Sequence, residues 1–533
     1  IVNFTNIDNL KDLLRKWLES SEYIKKFSAL RDRVDRIAEA LAIPLRVIVI
    51  QNLQESKPRL EIEISHITER ERLAGEIAKQ ILKEFKIKTF YVTGSKEHVV
   101  DMYCFNGIIY EPCEARVRKR IQELANQSED LYHKTTSWVV NEALRKVRDS
   151  TLESLHYEPL TIAFKNVLFD WEKFLQGMSI KASTIEPSEN IIVFHYIPHR
   201  LAYEKLDSIQ GLDKYNQVPT TTLEEIAEKL CPKSLKAFRD WVNDKWVLLF
   251  EIIGYTLYPR YDLHKAIMLV GDGSNGKSTF LRLVKTILGP RNVSSIALQD
   301  LVDPEKRFTI AELYHKLANI YADLPSTALR ETGKFKILTG EDAITVDRKF
   351  KDPITFVNYA KLIFSANELP EVHDTTHAFW RRWIVVEFPN RFEKDPTFFD
   401  RTFTEDEIEG IILVSLLAFR NAWLRRKFSF EESEQDYREL WLRKTNSIYA
   451  FISDLLSGKL EETLGVKGYR DPNSKEDRDY VYNLYTAYCD LEEREALSKR
   501  DFTIEMEKLG FKLVRTARNR YYKGLRIERV SKA

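Results

Sequence analysis

The clearest hydrophobic pattern in the chain lies between Lys265 and Leu288. An unbroken apolar run, Ala266-Ile267-Met268-Leu269-Val270, gives way to Gly271-Asp272-Gly273-Ser274-Asn275-Gly276-Lys277-Ser278-Thr279. Phe280, Leu281, Leu283, Val284, Ile287 and Leu288 then recur at helical spacing until Gly289-Pro290 stops them. The pattern predicts a buried strand, a glycine loop and an amphipathic helix. Further short β-prone runs follow at Leu317 to Ala322, Lys361 to Ala366 and Trp383 to Phe388. Between the first two, Ala343 to Val346 and Ile354 to Phe356 flank a charged tip.

Upstream, Asn9 to Leu41 reads as a charged amphipathic helix with Leu10, Leu13, Leu14, Trp17 and Leu18 on one stripe, before a strand-like run from Leu45 to Ile50. Residues 1–68 are therefore expected to form a helical connector. Residues 69–250 read as a mixed α+β domain, with helices at Glu69 to Phe85, Glu114 to Leu124 and Ser137 to Val147. Its β-prone runs are Thr89 to Val92 and Val99 to Tyr110, the latter turning at Asn106-Gly107, then Ile162 to Asp170 and Ile191 to Ile197. Trp241 to Leu257 is predicted as one helix, apolar on most sides and buried. Residues 251–430 hold the glycine loop. In 431–533, helices at Ile448 to Leu456 and Asp479 to Glu492 precede a Ser498-capped helix ending at Gly510, then a hairpin from Phe511 to Ile527. That order predicts a winged helix-turn-helix.

Composition narrows the choices. The apolar stretches Trp246 to Tyr258 and Ile408 to Phe419 are broken by Glu251 and Glu409 and fall short of the roughly 18 residues a membrane span needs, and no secretory signal opens the chain. Lys+Arg 82 against Asp+Glu 81 leaves a net charge of +1, so a nucleic-acid surface has to come from local clustering. The four cysteines, Cys104, Cys113, Cys231 and Cys489, show no metal or redox spacing; no disulfide framework or zinc site is expected, and a reducing cytoplasm fits. A chain that starts at Ile1 reads as a piece of something larger.

The candidate chemistry centres on the loop. Gly271, Gly273 and Gly276 let backbone N–H groups and the positive end of the next helix converge on a triphosphate, with Lys277 on its β- and γ-phosphates and Ser278 on Mg²⁺. ATP and Mg²⁺ are the expected cofactors, held by the run Gly271 to Thr279. Asp323, closing a β-prone run, suits a second Mg²⁺ ligand; Asn367, closing another, suits an amide that holds the attacking water. A turn residue is the alternative at each. Arg381 and Arg382 head a strand, from which a guanidinium can reach the γ-phosphate of a neighbouring subunit; a surface ion pair is the alternative. Arg348, Lys349, Phe350 and Lys351 combine three cations with one aromatic at a hairpin tip, which suits a DNA single strand. From Ser498 to Arg526 nine basic residues, among them Lys499, Arg500, Arg515, Arg518 and Arg520, face three acidic ones. This cluster suits duplex or origin DNA, with protein docking as the alternative.

Taken in order, the glycine loop, the Asp323 run, Leu338-Thr339-Gly340-Glu341-Asp342 with its basic hairpin, Ser365-Ala366-Asn367-Glu368-Leu369-Pro370 and Arg381-Arg382 ahead of Phe388 resemble the superfamily 3 helicases. The likeness is greatest to primase-helicases of phages, plasmids and large DNA viruses. It implies an α/β fold with an AAA+-like central parallel sheet, a homo-hexameric ring with ATP between subunits, hairpins lining a channel and 3′ to 5′ translocation on single-stranded DNA. It also implies a primase-polymerase upstream. The arginine that heads a strand ending Glu-Phe-Pro-Asn in viral members falls on Arg382, followed here by Glu387-Phe388-Pro389-Asn390. Many relatives carry two adjacent acids where this chain has Ala322-Asp323, which leaves open the group that activates water. An ATP-regulated initiator without processive unwinding is the competing function.

Overall fold

The computed structural model describes residues 45–51, 60–66, 69–91, 100–127, 136–153, 160–209, 212, 216–325, 327–329, 331–349, 351–372, 376–516 and 519–530. The predicted helix at Asn9 to Leu41 lies outside them. Two compact units divide the chain. The first takes the described residues up to 153 except 107–109, and the second takes 107–109 and those from 160 onward, so the division falls inside the segment 69–250.

In the first unit β1 (Leu45–Gln51) and β2 (Leu60–His66) pair antiparallel. α1 (Glu69–Glu84), β3 (Ile87–Tyr91), β4 (Val100–Phe105), β5 (Tyr110–Pro112), α2 (Glu114–Asn126), α3 (Thr136–Ser150) and β6 (Leu152–Glu153) follow. The sheet runs β5-β4-β3-β6. Ala74, Ile77, Ala78 and Ile81 of α1, Val117, Ile121 and Ala125 of α2, and Val139, Val140, Ala143, Leu144 and Val147 of α3 recur every three or four residues. Each helix thus buries one stripe, and all three share a core with Met102 and Cys104. The expectation of no disulfide is corrected here: Cys104 and Cys113 are joined, with Cα atoms 5.6 Å apart. Antiparallel pairing sets Cys104 opposite Glu111, which brings the next cysteine within reach across the strand end. Sequence spacing alone cannot show such a register.

The second unit opens with a small antiparallel sheet of β7 (Thr161–Ala163), β8 (Leu168–Asp170) and β9 (Thr184–Ile185). Ile191 to Ile197 joins it through a bridge between Ala163 and Tyr196, with Val193 sharing a core with Ala163 and Leu168. α4 (Thr220–Leu230), α5 (Pro232–Val242) and α6 (Trp246–Leu257) come next. The single helix predicted from Trp241 to Leu257 is broken at Asn243, which takes φ = 52°. All of α6 is buried, including Glu251.

At the centre lies a five-stranded sheet. Its elements are β10 (Ala266–Val270), α7 (Lys277–Leu288), β11 (Val293–Ser294), β12 (Ala318–Tyr321), the hairpin β13 (Ala343–Arg348) and β14 (Lys351–Val357), β15 (Lys361–Ala366), α8 (His377–Trp380) and β16 (Trp383–Glu387). The order is β11-β12-β15-β10-β16 with every pairing parallel, while the hairpin forms its own ladder. Continuous apolar runs make such strands because both faces are covered. Ile267, Leu269, Ile363, Ile384 and Val386 face one core with α6 and α7; Met268, Val270, Leu362, Phe364 and Val385 face another with Phe335 and Trp441. The chain is thus a mixed α/β protein with a parallel sheet.

α9 (Glu405–Arg425) packs on α6, and α10 (Glu434–Thr445) inserts Trp441 against Trp380 and Trp383. Then α11 (Ser447–Ser457), β17 (Val466–Asp477), α12 (Arg478–Leu491), α13 (Lys499–Lys508), β18 (Lys512–Arg515) and β19 (Arg520–Arg529) form a separate core around Phe451, Tyr485, Phe502 and Tyr522. Their antiparallel sheet runs β17-β19-β18. β17 escapes sequence pattern because Asp471-Pro472-Asn473-Ser474 reads as a turn; it is a register shift within one long strand.

Candidate functional site

The glycine loop leaves β10 at the carboxyl edge of the parallel sheet, the edge where open α/β sheets bind ligands. A cleft of about 600 Å³ opens there, lined by Gly273 to Thr279, Asp323 and Asn367. Gly276 takes φ = +95°, and a Cβ there would lie 2.5 Å from the indole of Trp241, so the backbone rests on that ring. Gly271 is held equally close: a Cβ would lie 2.6 Å from the Phe388 carbonyl. Asn275 Nδ2 donates to the Phe388 carbonyl at 3.2 Å, and Phe392 N–H donates to the Ser274 carbonyl at 2.7 Å, tying the loop to the segment after β16.

Lys277 is buried in the loop. Its Nζ donates to the Gly271 carbonyl, to Asn275 Oδ1 at 3.2 Å and to Asn367 Oδ1 at 3.1 Å. Burial holds its ammonium below the ordinary lysine range, while Asp323 and Asp272 favour the charged form. β12 and β15 deliver the other two groups. Asp323 sits two residues past β12 with φ = 55°, its N–H donating to Ser365 Oγ at 3.4 Å, and Leu324 N–H donating to the Ser365 carbonyl at 2.8 Å. Asn367 directly follows β15. The structure therefore brings Lys277, Ser278, Asp323 and Asn367 into one cleft, from three adjacent strands of a parallel sheet. Exposed Asp272 lies just outside it, 3.6 Å from Arg391.

Arg381 and Arg382 are not part of that cluster. β16 runs parallel to β10 with Trp383 opposite Ala266 and Glu387 opposite Val270, so both arginines stand at the other edge of the sheet, about 16 Å away at ~3.3 Å per residue. Arg381 is exposed. Arg382 is 7% exposed, donates from Nη1 to the Ala378 carbonyl at 2.5 Å and leaves Nε buried without a partner among the described residues.

The hairpin is anchored by buried Val346 and Ile354 and cross-linked by Thr345 and Thr355 hydroxyls at 2.8 Å. Arg348 and Lys349 stand at its tip; Phe350 and the side chain of Lys351 lie outside the described residues. A second tip escaped the sequence reading. Phe308, 53% exposed, follows Lys306 and Arg307, and the turn after it packs Ile310 and Leu313 into the same core as Val346 and Ile354. Only its exposure beside two cations marks it. In the last domain Lys499 contacts Asp479 at 3.2 Å, Arg500 is exposed on α13, and Arg515 lies directly opposite Arg520 across the β18–β19 ladder. Arg518 lies outside the described residues. Like charges set directly opposite each other repel.

The fold and site define an α/β protein with a polar cleft, built on a glycine loop, at the carboxyl edge of a parallel sheet. Residues 269–382, which hold this loop, Asp323, Asn367 and both arginines, match the family of unknown function DUF5906. Over 138 residues the chain is 33% identical to "Putative helicase L207/L206" of Acanthamoeba polyphaga mimivirus, a match covering 24% of this chain and 14% of that protein. Over 251 residues it is 24% identical to "Putative helicase 121R" of Invertebrate iridescent virus 3, covering 45% of this chain and 24% of that protein. The chain thus spans well under a third of these relatives. The A-form apo structure of the NrS-1 C-terminal region, 13% identical, matches 85% of this chain and 99% of its own with a TM-score of 0.39, too loose to bear on the fold. The resemblance to viral helicases read from the motif order is borne out by these two relatives.

Proposed function

We propose that the chain is the motor part of an ATP-dependent DNA helicase acting in plasmid, phage or viral DNA replication. The observation that carries this reading is the convergence of Lys277, Ser278, Asp323 and Asn367 on one cleft. The donor set suits a magnesium nucleotide: a hydroxyl at Ser278 and a carboxylate at Asp323 complete a hard-cation shell together with phosphate oxygens and water. Ser278 and Asp323 would hold Mg²⁺ there, and the ion would supply neutralisation of charge on the phosphoryl group. The loop N–H groups and Lys277 hold the triphosphate, and the Asn367 amide orients the attacking water. Lys277 already donates to Asn367 Oδ1, so a γ-phosphate entering between them would pull the amide into position.

Within one chain the arginines stand at the far edge of the sheet, so Arg382 or the more exposed Arg381 meets a triphosphate only from another copy of the chain. This supports a ring, six-fold by analogy, with ATP between subunits. The hairpin tip with Arg348 and Lys349 and the neighbouring Arg307-Phe308 tip supply cations and a ring for single-stranded DNA, with 3′ to 5′ movement expected by the same analogy. The last domain reads as a winged helix that holds duplex DNA through Arg500, Arg515 and Arg520.

Lys277→Ala tests the motor: hydrolysis and unwinding should both disappear, and retention of either ends this reading. Lys349→Ala/Lys351→Ala separates it from an initiator. A motor loses DNA-stimulated hydrolysis and unwinding, whereas an initiator keeps origin binding and basal hydrolysis.

A further inference from the structure

The three-stranded sheet of the last domain has one covered face and one open face. Tyr522 and Leu525 of β19 point into the core, where Phe451 of α11, Tyr485 of α12 and Phe502 of α13 meet them. Lys523, next to Tyr522 along the strand, therefore points to the other side. The pairing register sets Lys475 of β17 and Lys512 of β18 directly opposite Lys523, one on each flank. Directly paired residues share a face, so the open face carries three ammonium groups in one row, about 10 Å long at ~4.8 Å between strands. All three lysines are exposed, and none pairs with a carboxylate among the described residues.

The acids nearby are committed. Asp477, on the same face, caps α12 by accepting from Asp479 N–H at 2.9 Å and Tyr480 N–H at 3.0 Å. Asp471 accepts from Asn473 N–H at 3.0 Å and from Ser474 Oγ at 2.7 Å, and Glu528 pairs with Arg526. Like charges directly opposite one another cost a sheet stability. On the edge strands β17 and β18 lysines have an ordinary use, since charge there deters edge-to-edge pairing. Lys523 has no such use, because β19 is the central strand. A polyanion lying across the row would relieve the repulsion. Further along the face Tyr469 stands opposite Arg526, whose Cζ lies 5.9 Å from its ring centroid, and the tyrosine is 39% exposed. An exposed ring beside cations can take an unpaired base, which a duplex does not offer.

We propose that the open face of β17, β19 and β18 is a binding surface for single-stranded DNA, with Lys475, Lys523 and Lys512 on its phosphates and Tyr469 on a base. Arg515 and Arg520 alternate with it, in register with core-facing Leu513 and Tyr522 on the α13 side, so this face is separate from the duplex contact proposed above. It needs no nucleotide and does not rest on the reading of Lys277. Binding of a labelled oligothymidylate and of a labelled duplex of equal length is followed by fluorescence anisotropy over a salt series, without nucleotide, on the whole chain. The variants are Lys475→Gln/Lys512→Gln/Lys523→Gln, Tyr469→Ala and a charge-matched control, Lys173→Gln/Lys181→Gln/Lys459→Gln, whose lysines pair with Asp170, Asp207 and Asp454.

On the single strand the row variant should lower the slope of log affinity against log salt by about 2, three contacts at ~0.7 each. The control should keep its slope, and so should the row variant on the duplex. Tyr469→Ala should weaken the single strand about 5- to 100-fold, the range for one stacked base, with the slope unchanged. Lys523→Gln alone should melt no lower than the unmodified chain, because it removes a repulsion on both flanks; this also shows that the variant folds. A slope unchanged in the row variant, or lowered no more than in the control, overturns the proposal. Equal losses on single strand and duplex, or an affinity unchanged in Tyr469→Ala, overturn the single-strand assignment. An unmodified chain that binds no single strand overturns it too, and leaves the phosphate reading of Lys277, which hydrolysis tests, standing.

Discussion

Alanine at Gly276 meets two separate obstacles. The backbone holds φ at +95°, where a Cβ costs about 1–2 kcal/mol. That Cβ would also stand 2.5 Å from the Trp241 indole, an overlap of the kind that costs about 1–3 kcal/mol in packed interiors. The expected destabilisation is therefore about 2–5 kcal/mol, the sum of the two. A double-mutant cycle separates them. Trp241→Leu takes away the ring and so the steric part, but leaves the dihedral part untouched. Gly276→Ala should then cost about 1–3 kcal/mol less beside Leu than beside Trp. The assay is urea denaturation of the four proteins followed by far-ultraviolet circular dichroism, with calorimetric titration of magnesium ATP in parallel. Nucleotide binding should weaken in Gly276→Ala and partly recover in the double variant, because the loop can settle into the space the indole leaves. A cycle additive within about 0.5 kcal/mol would refute the claim that the loop rests on Trp241.

Two further outcomes follow from buried groups. Glu251 accepts from Arg425, Ser429 Oγ and Ser429 N–H at 2.7 Å each, yet burial pushes its carboxyl up to about 7. The folded chain therefore binds the extra proton between about pH 4.5 and 7, and the stability it contributes is present at low pH and lost as pH rises through that window. Glu251→Gln abolishes this slope, so its stability relative to the unmodified chain should improve by on the order of 3 kcal/mol from pH 4.5 to 8. Parallel pH curves for the two proteins would contradict it. Cys104 and Cys113 close a loop across a sequence separation of 9, and on chain entropy the bond is worth about 2.5 kcal/mol. Reductant should lower the melting temperature of the unmodified chain and leave a Cys104→Ser/Cys113→Ser variant unmoved.

Much of the cleft was legible in the residues because its chemistry is local. A strand, a glycine loop and a helix N-terminus are consecutive in the chain, so Lys277 and Ser278 could be placed without tertiary knowledge. Asp323 and Asn367 were legible for a related reason: each follows a mostly apolar, β-prone run, and in a parallel sheet such runs end at the same edge. The alternation of Met268 with Leu269, or of Ile384 with Val385, carries no sign of which core each faces, since both are apolar.

What remained hidden depends on register and on contacts between distant segments. The Cys104–Cys113 bond follows from hairpin pairing, the length of β17 from a bulge that reads as a turn, and the exposure of Phe308 from the packing of the segment after it. The separation of Arg382 from Lys277 is fixed by the β10–β16 register. Trp241 and Phe398, whose rings lie 6.3 Å apart, come from segments more than a hundred and fifty residues apart. The sequence by itself determined that a glycine loop, Lys277 and Ser278 stand together where a strand meets a helix, because these residues are consecutive in the chain. Only the tertiary structure decided what surrounds them, because a side chain's neighbours are chosen when strands and helices pack, and that choice leaves no periodic trace in the chain.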